Sequence, residues 1–124
     1  RQALLKESYE HSEVCVKMKR IIQSYKKTDK SNERFDEEDW KQLIAETDIR
    51  WNDITIRLAA KYPLSQDEIY LCCLHLTDIP TSHFRYLMEC SRDAIYKKGK
   101  RILEQKMKCT DKSISLREFL EQFL

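Results

Sequence analysis

The chain has 124 residues, of which 41% are hydrophobic and 35% are charged, and its formal net charge is +2. This length and apolar content allow one modest domain with a core, whereas so many charged residues exclude an integral membrane protein. No apolar run approaches the roughly 20 residues that a spanning helix needs, and no secretory signal is visible. One glycine and two prolines provide few turns for a sheet, so the composition predicts an all-α, multi-helix domain.

The charges are unevenly distributed along the chain. Residues 31–60 contain 4 basic and 8 acidic residues, a net of −4, whereas residues 91–108 contain 7 basic and 2 acidic residues, a net of +5. A local basic segment in a nearly neutral chain indicates a charged partner. The chain starts at Arg1 and not at methionine, so we expect it to be part of a longer protein.

The N-terminal part, residues 1–34, is predicted to be a helix followed by a linker. Apolar or semi-polar residues recur at helical spacing at His11, Val14, Cys15, Met18, Ile21, Ile22 and Tyr25. This stripe is wider than a coiled-coil seam, which favours a helix packed on its own domain. A dimerisation helix, or a stalk leading to an upstream domain, is the alternative. Residues 28–34 have no apolar side chain and are predicted to be the linker.

Residues 35–62 are predicted to form two supporting helices. In the first, Asp36 is the N-cap and Asp39 is the acidic residue at the third helical position. Phe35 and Trp40 have the spacing of a hydrophobic staple. The second is predicted from about Ile49 to Lys61, because apolar residues keep the helical spacing there. Pro63 ends it, since the residue before a proline is pushed out of the helical region.

Residues 63–108 are predicted to contain three helices, Ser65–Leu76, Pro80–Met88 and Ser91–Met107. The capping box formed by Ser65 and Glu68 favours a buried helix over a buried strand for the apolar run that follows. Proline fits the first position of the second helix, and a tight turn separates it from the third. A short helix, a turn and a basic amphipathic helix are typical of a helix-turn-helix DNA-binding module.

The third helix of this unit has two predicted faces. Ile95, Gly99, Ile102 and Leu103 are expected to face inward. The residues expected to lie largely on the outer face are Arg92, Tyr96, Lys97, Lys100 and Arg101. A glycine in mid-helix costs about 1 kcal/mol relative to alanine. It is explained either by a tight crossing with another helix or by close approach to a phosphate, and the sequence does not separate the two.

We expect the outward face to enter the major groove of double-stranded DNA. Arginine and lysine neutralise phosphates, and side chains near the start of a recognition helix are placed to contact base edges. Base edges would be contacted by Arg92, Tyr96 and Lys97. The candidate DNA-binding residues are Ser91, Arg92, Tyr96, Lys97, Lys98, Lys100 and Arg101. A basic helix face that is merely solvated is the alternative.

Residues 109–124 are predicted to form a final amphipathic helix that packs back on the three-helix unit. Ser115 and Glu118 have the spacing of a capping box, and Ile114 and Phe119 that of a staple. An exposed surface for a partner is the alternative for this helix.

The five cysteines include no CxxC pair, and we interpret them as reduced thiols in a cytoplasmic compartment. Cys72 and His75 have the spacing of a metal pair, but no ligand cluster completes it, so neither a metal nor a cofactor is expected. Cys90 lies at a helix start, where thiol pKa values are often lowered, but the sequence places no base near it, so we interpret it as a turn residue that packs inward. No catalytic triad, Cys/His pair or phosphate loop is visible, so the sequence does not predict an enzyme.

Several of these motifs resemble a known family. The run from Leu64 to Leu74, the turn at Cys90 and the run from Ala94 to Leu103 resemble the C-terminal helix-turn-helix of LuxR/GerE-type regulators. Nearly the whole chain is similar to the C-terminal region of a Bacteroidetes regulator group in which a tetratricopeptide sensor part and a transmembrane helix commonly precede the DNA-binding end. The resemblance implies double-stranded DNA as the partner, a homodimer, an upstream sensor domain and a cytoplasmic domain whose full-length parent is membrane-anchored.

Two departures from the family pattern leave a second function open. Asp78-Ile79-Pro80 replaces the usual Gly-x-Ser element, which removes a serine cap, and Phe84-Arg85 replaces an Ile-Ala pair, which predicts an altered helix crossing. The alternative is therefore a diverged helix-turn-helix that acts as a protein–protein interaction or dimerisation module. An exposed apolar patch on residues 11–25, with the face of residues 91–108 covered, would favour it.

Overall fold

A computed structural model describes residues 12–123, and this part of the chain is all-helical, as predicted. It contains seven α-helices, a 3-10 turn and a π-helical turn, with no strand in the described range. The helices are α1 Glu13–Thr28, α2 Glu37–Arg50, α3 Ile54–Lys61, α4 Gln66–His75, α5 Phe84–Met88, α6 Arg92–Arg101 and α7 Leu116–Gln122. Within residues 12–123, no helix combines the length and apolar character needed to cross a bilayer.

One hydrophobic core joins all four predicted parts of the chain, 1–34, 35–62, 63–108 and 109–124, because its buried side chains run from α1 to α7. α4 lies at the centre of this core and packs against α2, α3, α6 and α7. Its capping box forms as predicted, with Ser65 accepting from the Glu68 amide and Glu68 accepting from the Ser65 amide. Leu71, Cys72, Cys73 and Leu74 are buried on successive sides of α4, which confirms a buried helix over a strand.

The apolar stripe of α1 packs on the domain itself, as predicted. Its buried side chains are Val14, Cys15, Met18, Ile21 and Ile22, and α1 packs against α2 and α5. Tyr25 stacks on Tyr86 of α5 with 4.9 Å between ring centroids. The stripe is therefore no free dimerisation surface; its first predicted member, His11, lies outside the described residues. The linker was predicted to begin at Thr28, but Thr28 is still the last residue of α1, so the linker begins one residue later.

α2 begins where its start signals predicted. Asp36 and Asp39 form a capping box, and the Phe35 and Trp40 rings meet edge to face at 4.6 Å. Asp39 also accepts an ion-paired hydrogen bond from Lys17 of α1 at 2.6 Å. This pair links the start of α2 to α1.

The predicted boundary between the two supporting helices is wrong. α2 continues through Ile49 to Arg50, and α3 begins only at Ile54. The break falls at Asn52 and Asp53, which have φ values of 54° and 56°, a region that asparagine and aspartate tolerate better than most residues. The reason for the late start is a cap from far upstream: Asp48 accepts hydrogen bonds from the Thr55 amide and hydroxyl at 2.8 and 2.6 Å.

The sequence predicted Pro80 as the first residue of the second helix in the three-helix unit. In the structure Pro80 precedes that helix and lies outside it. It is extended, with ψ at 142°, and a 3-10 turn at Thr81–His83 leads into α5. No side chain caps this start, in agreement with the missing serine. Arg85 is exposed and its guanidinium lies over the Tyr86 ring at 4.7 Å. The cation therefore does not enter the α5–α6 crossing, contrary to the expectation.

The third helix does not continue as one α-helix from Ser91 to Met107. The α-helical part, α6, ends at Arg101, and a π-helical turn follows at Ile102–Lys106. Ile102 and Met107 are both buried, although residues five apart on an α-helix face directions about 140° apart. The wider turn, closed by a hydrogen bond from the Met107 amide to the Ile102 carbonyl at 2.9 Å, places both on the core side.

α7 packs back on the core as predicted, against α4 and the π-helical turn. Ser115 and Glu118 form the predicted capping box, and Leu116 and Leu120 are buried. Arg117 donates to the Thr77 carbonyl at 2.6 Å, which ties α7 to the end of α4. The staple of Ile114 and Phe119 stays a prediction.

Candidate nucleic-acid interface

A three-residue turn, 89–91, directs α6 away from α5. Glu89 takes a left-handed conformation with φ at 53°, which an ordinary side chain adopts only at a cost. Arg34, from the segment between α1 and α2, grips the Glu89 carboxylate with two hydrogen bonds of 2.9 and 2.7 Å. Ser91 then caps α6 by accepting from the Ala94 amide at 3.0 Å. The turn is thus held by a contact outside the α5–turn–α6 unit.

The inner face of α6 packs as the sequence predicted. Ile95 and Ile102 are buried, and Leu103 is partly buried against the core. A Cβ added to Gly99 would lie 4.0 Å from Leu71 Cδ2 and meets no closer atom. This is an ordinary van der Waals distance, so a tight helix crossing does not require the glycine.

The candidate DNA-binding residues occupy two exposed rows and one inner position. Arg92, Tyr96 and Lys100 are four residues apart and form one row on the helix surface; Lys97 and Arg101 form the neighbouring row. We call these the cleft row and the outer row. All five residues are exposed, and so is the capping Ser91. Tyr96, at 67% exposure, is one of four large hydrophobic side chains exposed among residues 12–123.

Lys98 lies apart from both rows. Its side chain is 30% exposed, and its Nζ is 3.8 Å from the Asp67 carboxylate at the start of α4. Lys97 of the outer row is 3.0 Å from Asp93 in the same helix, and that pair is exposed. Exposed pairs of this kind contribute little, about 0–1 kcal/mol, so Lys97 is free to exchange partners. Lys98 faces α4, away from the surface that the two rows share.

Beside the cleft row lies a half-open cleft with a volume of about 560 Å³. α6 forms one wall, Thr81 and Ser82 at the start of the 3-10 turn form another, and the segment from Cys109 to Leu116 forms the third. The sequence predicted the α6 wall but not the other two. Hydroxyls at a helix start are common phosphate donors, a signal that could have identified Thr81 and Ser82, whereas the third wall has no comparable local signal.

The cations of this surface have few internal partners. Among residues 12–123, no ion pair involves Arg92, Lys100, Arg101, Lys108 or Lys112. Lys98 and Lys106 pair with acidic residues outside residues 91–108, so part of the net charge of +5 on this segment is compensated, while its four unpaired cations are exposed to solvent. Unpaired cations on one side of a domain attract polyanions over distances of about 10 Å at moderate salt.

The potentially reactive side chains are in poor environments for catalysis. Burial lowers the pKa of His75 to about 4 and raises that of Cys73 to about 12. Burial also raises the pKa of Cys90, although nearby Lys98 acts in the opposite direction. Cys90 is partly buried against the core, as expected for a turn residue that packs inward. Across the described range 12–123, no group of three histidine, cysteine or acidic side chains is arranged to hold a metal ion.

Comparison of the chain with protein-family models, curated protein sequences and solved structures gave no significant match. The resemblance to LuxR/GerE-type regulators stays a prediction from the order and spacing of the motifs. The evidence for the function of the chain is therefore the α5–turn–α6 unit and its charged surface.

Proposed function

We propose that this chain is the DNA-binding part of a bacterial transcriptional regulator, with α6 and the following turn, residues 91–108, placed in the major groove. The observation that carries the proposal is an exposed helix with two cation-bearing rows directly after a short helix and a three-residue turn. This order and exposure are those of a recognition helix. The LuxR/GerE-like motif spacing supports the same function.

In this proposal the exposed residues of α6 have two different tasks. Arg92 and Tyr96, near the start of α6, contact base edges, since arginine to guanine is the commonest specific pairing. Lys97, Lys100 and Arg101 neutralise phosphates and supply most of the affinity. The Asp67 partner of Lys98 makes its contribution the smallest of the candidate cations. The alternative, a protein–protein interaction module, is not favoured, because the described part of the α1 stripe is buried.

We also propose that the domain binds as a homodimer in the cytoplasm, controlled by an upstream sensor domain. One recognition helix reads few base pairs, and two copies double the sequence that is read. The dimer surface must lie outside the buried α1 stripe. Light scattering of the free domain and of its complex with a duplex measures this stoichiometry directly.

DNA binding is tested by fluorescence anisotropy of labelled random-sequence duplexes at increasing salt. The parent should bind with a steep salt dependence, and the Lys97→Ala/Arg101→Ala variant should reduce the slope of log K against log salt by roughly 2, about one per lost phosphate contact. The matched control is Lys26→Ala/Lys27→Ala, which removes two exposed cations from the last turn of α1. A parent that does not bind at about 50 mM salt, or two double variants that behave alike, would contradict the proposal.

A further inference from the structure

We propose that the cleft beside α6 binds a small organic anion with an apolar body, and that this ligand competes with DNA for the cleft row. The binding stands on the cleft alone, whereas the competition rests on the proposed function. The ligand class is set by two features of the cleft: an apolar lining and an unpaired cationic rim.

The size and the lining fit a small molecule. A volume of about 560 Å³ lies inside the range of roughly 300–1,000 Å³ that is usual for ligand sites. Ile95, Leu103, Ile114 and Leu116 contribute apolar side chains to the lining. A sugar-phosphate backbone gains nothing from such a surface, whereas an aromatic or aliphatic body buries apolar area there.

The charges around the cleft favour an anion. Arg92, Lys100 and Lys112 line it and have no ion-pair partner among the described residues. The acidic side chains of the lining are Glu104 and Asp111. Asp111 Oδ1 accepts hydrogen bonds from the Ser113 amide at 2.9 Å and the Ser113 hydroxyl at 2.6 Å, which hold this carboxylate in place without neutralising it. Three cations without ion-pair partners therefore face two carboxylates, and the remaining net charge of +1 favours a ligand carboxylate or sulfonate.

Occupancy of the cleft would regulate DNA binding directly. Arg92, Tyr96 and Lys100 each line the cleft, and each belongs to the row proposed to face the duplex. A bound anion takes up the charge of Arg92 and Lys100 and fills the space beside Tyr96. The same side chains are then withdrawn from phosphates and base edges, so the ligand lowers the affinity for DNA.

The binding is measured by NMR on the ¹⁵N-labelled chain, with 2-naphthoate as the probe. Gly99 is the only glycine of the chain and lines the cleft, so its amide signal, in the spectral region typical of glycines, is a specific reporter. We expect a saturable shift of this signal, while the indole signals of Trp40 and Trp51, which do not line the cleft, stay in place. Neutral 2-naphthamide should bind at least roughly tenfold more weakly than 2-naphthoate, because a charge-assisted contact is lost.

Two variants of α6 separate the cleft from general charge. Lys100→Gln removes a cleft cation and should weaken the binding of 2-naphthoate several-fold or more. Arg101→Gln removes a cation from the outer row of the same helix and should leave it unchanged. No shift of the Gly99 signal, equal affinity for naphthoate and naphthamide, or equal weakening by both variants would overturn the ligand site.

The competition is measured by adding 2-naphthoate to a preformed complex with a labelled duplex. We expect displacement from the parent, whereas Lys100→Gln, compared at matched duplex occupancy, should need a several-fold higher naphthoate concentration. A duplex that stays bound at saturating naphthoate would overturn the competition. If the parent binds no duplex at all, the proposed function fails and the competition with it. The titration without DNA then still decides whether the cleft takes an organic anion.

Discussion

α4 and α6 begin in the same way and end up in opposite environments. Each contains 10 residues and each follows a serine N-cap. Six residues of α4 are buried, whereas Ile95 is the one buried residue of α6. Local start signals therefore fix where a helix begins, and the pattern of apolar residues decides whether it supports the core or presents side chains to a partner. The comparison predicts that substitutions in α4 change stability, while those in α6 change binding.

The largest effect is expected for Leu71→Ala. Leu71 is fully buried at the centre of α4, so its truncation loses both transfer free energy and packing, and the free energy of unfolding should fall by about 2–5 kcal/mol. Urea denaturation followed by circular dichroism measures it. A loss below about 1 kcal/mol would show that α4 is not the centre of the core.

Glu68→Gln should have the next largest effect, lowering the free energy of unfolding by about 1–3 kcal/mol. The buried Glu68 carboxylate accepts from the Ser65 amide at 2.7 Å and lies 3.6 Å from Lys106 Nζ. Burial raises its pKa, but the bonds from Ser65 and the charge of Lys106 outweigh burial and lower the pKa below its ordinary 4.5.

The sign of the pH dependence follows from that lowered pKa. The unfolded chain binds the proton more readily than the folded one, so the contribution of Glu68 is fully present above pH 4.5 and is lost as the pH falls through the folded-state pKa. Denaturation curves should show the parent losing more stability than Glu68→Gln on acidification below 4.5. Parallel losses would mean that another group dominates.

Gly99→Ala tests the one glycine of α6. Unlike the two substitutions in α4, it should stabilise the folded protein. Since the nearest atom to an added Cβ is Leu71 Cδ2 at 4.0 Å, alanine fits and should raise the free energy of unfolding by about 0.4–1 kcal/mol. The melting temperature and the affinity for duplex are measured on the same variant. Destabilisation would restore the tight-crossing explanation, and a stabler protein with weaker DNA binding would favour close approach to a phosphate.

Arg101→Ala is expected to change stability least, by no more than about 0.5 kcal/mol. Its side chain is exposed and makes no ion pair within residues 12–123. It is the stability control for Leu71→Ala, measured in the same urea titration. A loss comparable to that of Leu71→Ala would remove the contrast between the two helices.

The sequence predicted the parts of the fold that local chemistry decides. The capping boxes that start α2, α4 and α7 connect residues three apart, and all three form. The start of α3 was predicted at Ile49 and not at Ile54 because the cap of α3 comes from Asp48, seven residues before its partner Thr55. The π-helical turn was missed because it depends on burying both Ile102 and Met107, a requirement set by the rest of the core.

The candidate site was predictable to the same extent. Helical spacing identified the outer face of α6, because spacing alone decides which side chains share a face. It did not identify Lys112 or the cleft, since that wall comes from a segment that reaches α6 only through the packing of α7. Lys98 was included among the DNA-binding candidates for its charge, and its pairing with Asp67 on another helix could not be seen from local spacing.

The contact between Arg34 and Glu89 has a mechanical consequence. Together with the stacking of Tyr25 on Tyr86, it fastens α1 and its outgoing segment to α5 and to the turn that aims α6. A shift of α1 would therefore reach the turn before α6 through these two contacts as well as through the shared core. The direction in which α6 points is thereby coupled to the position of the first described helix.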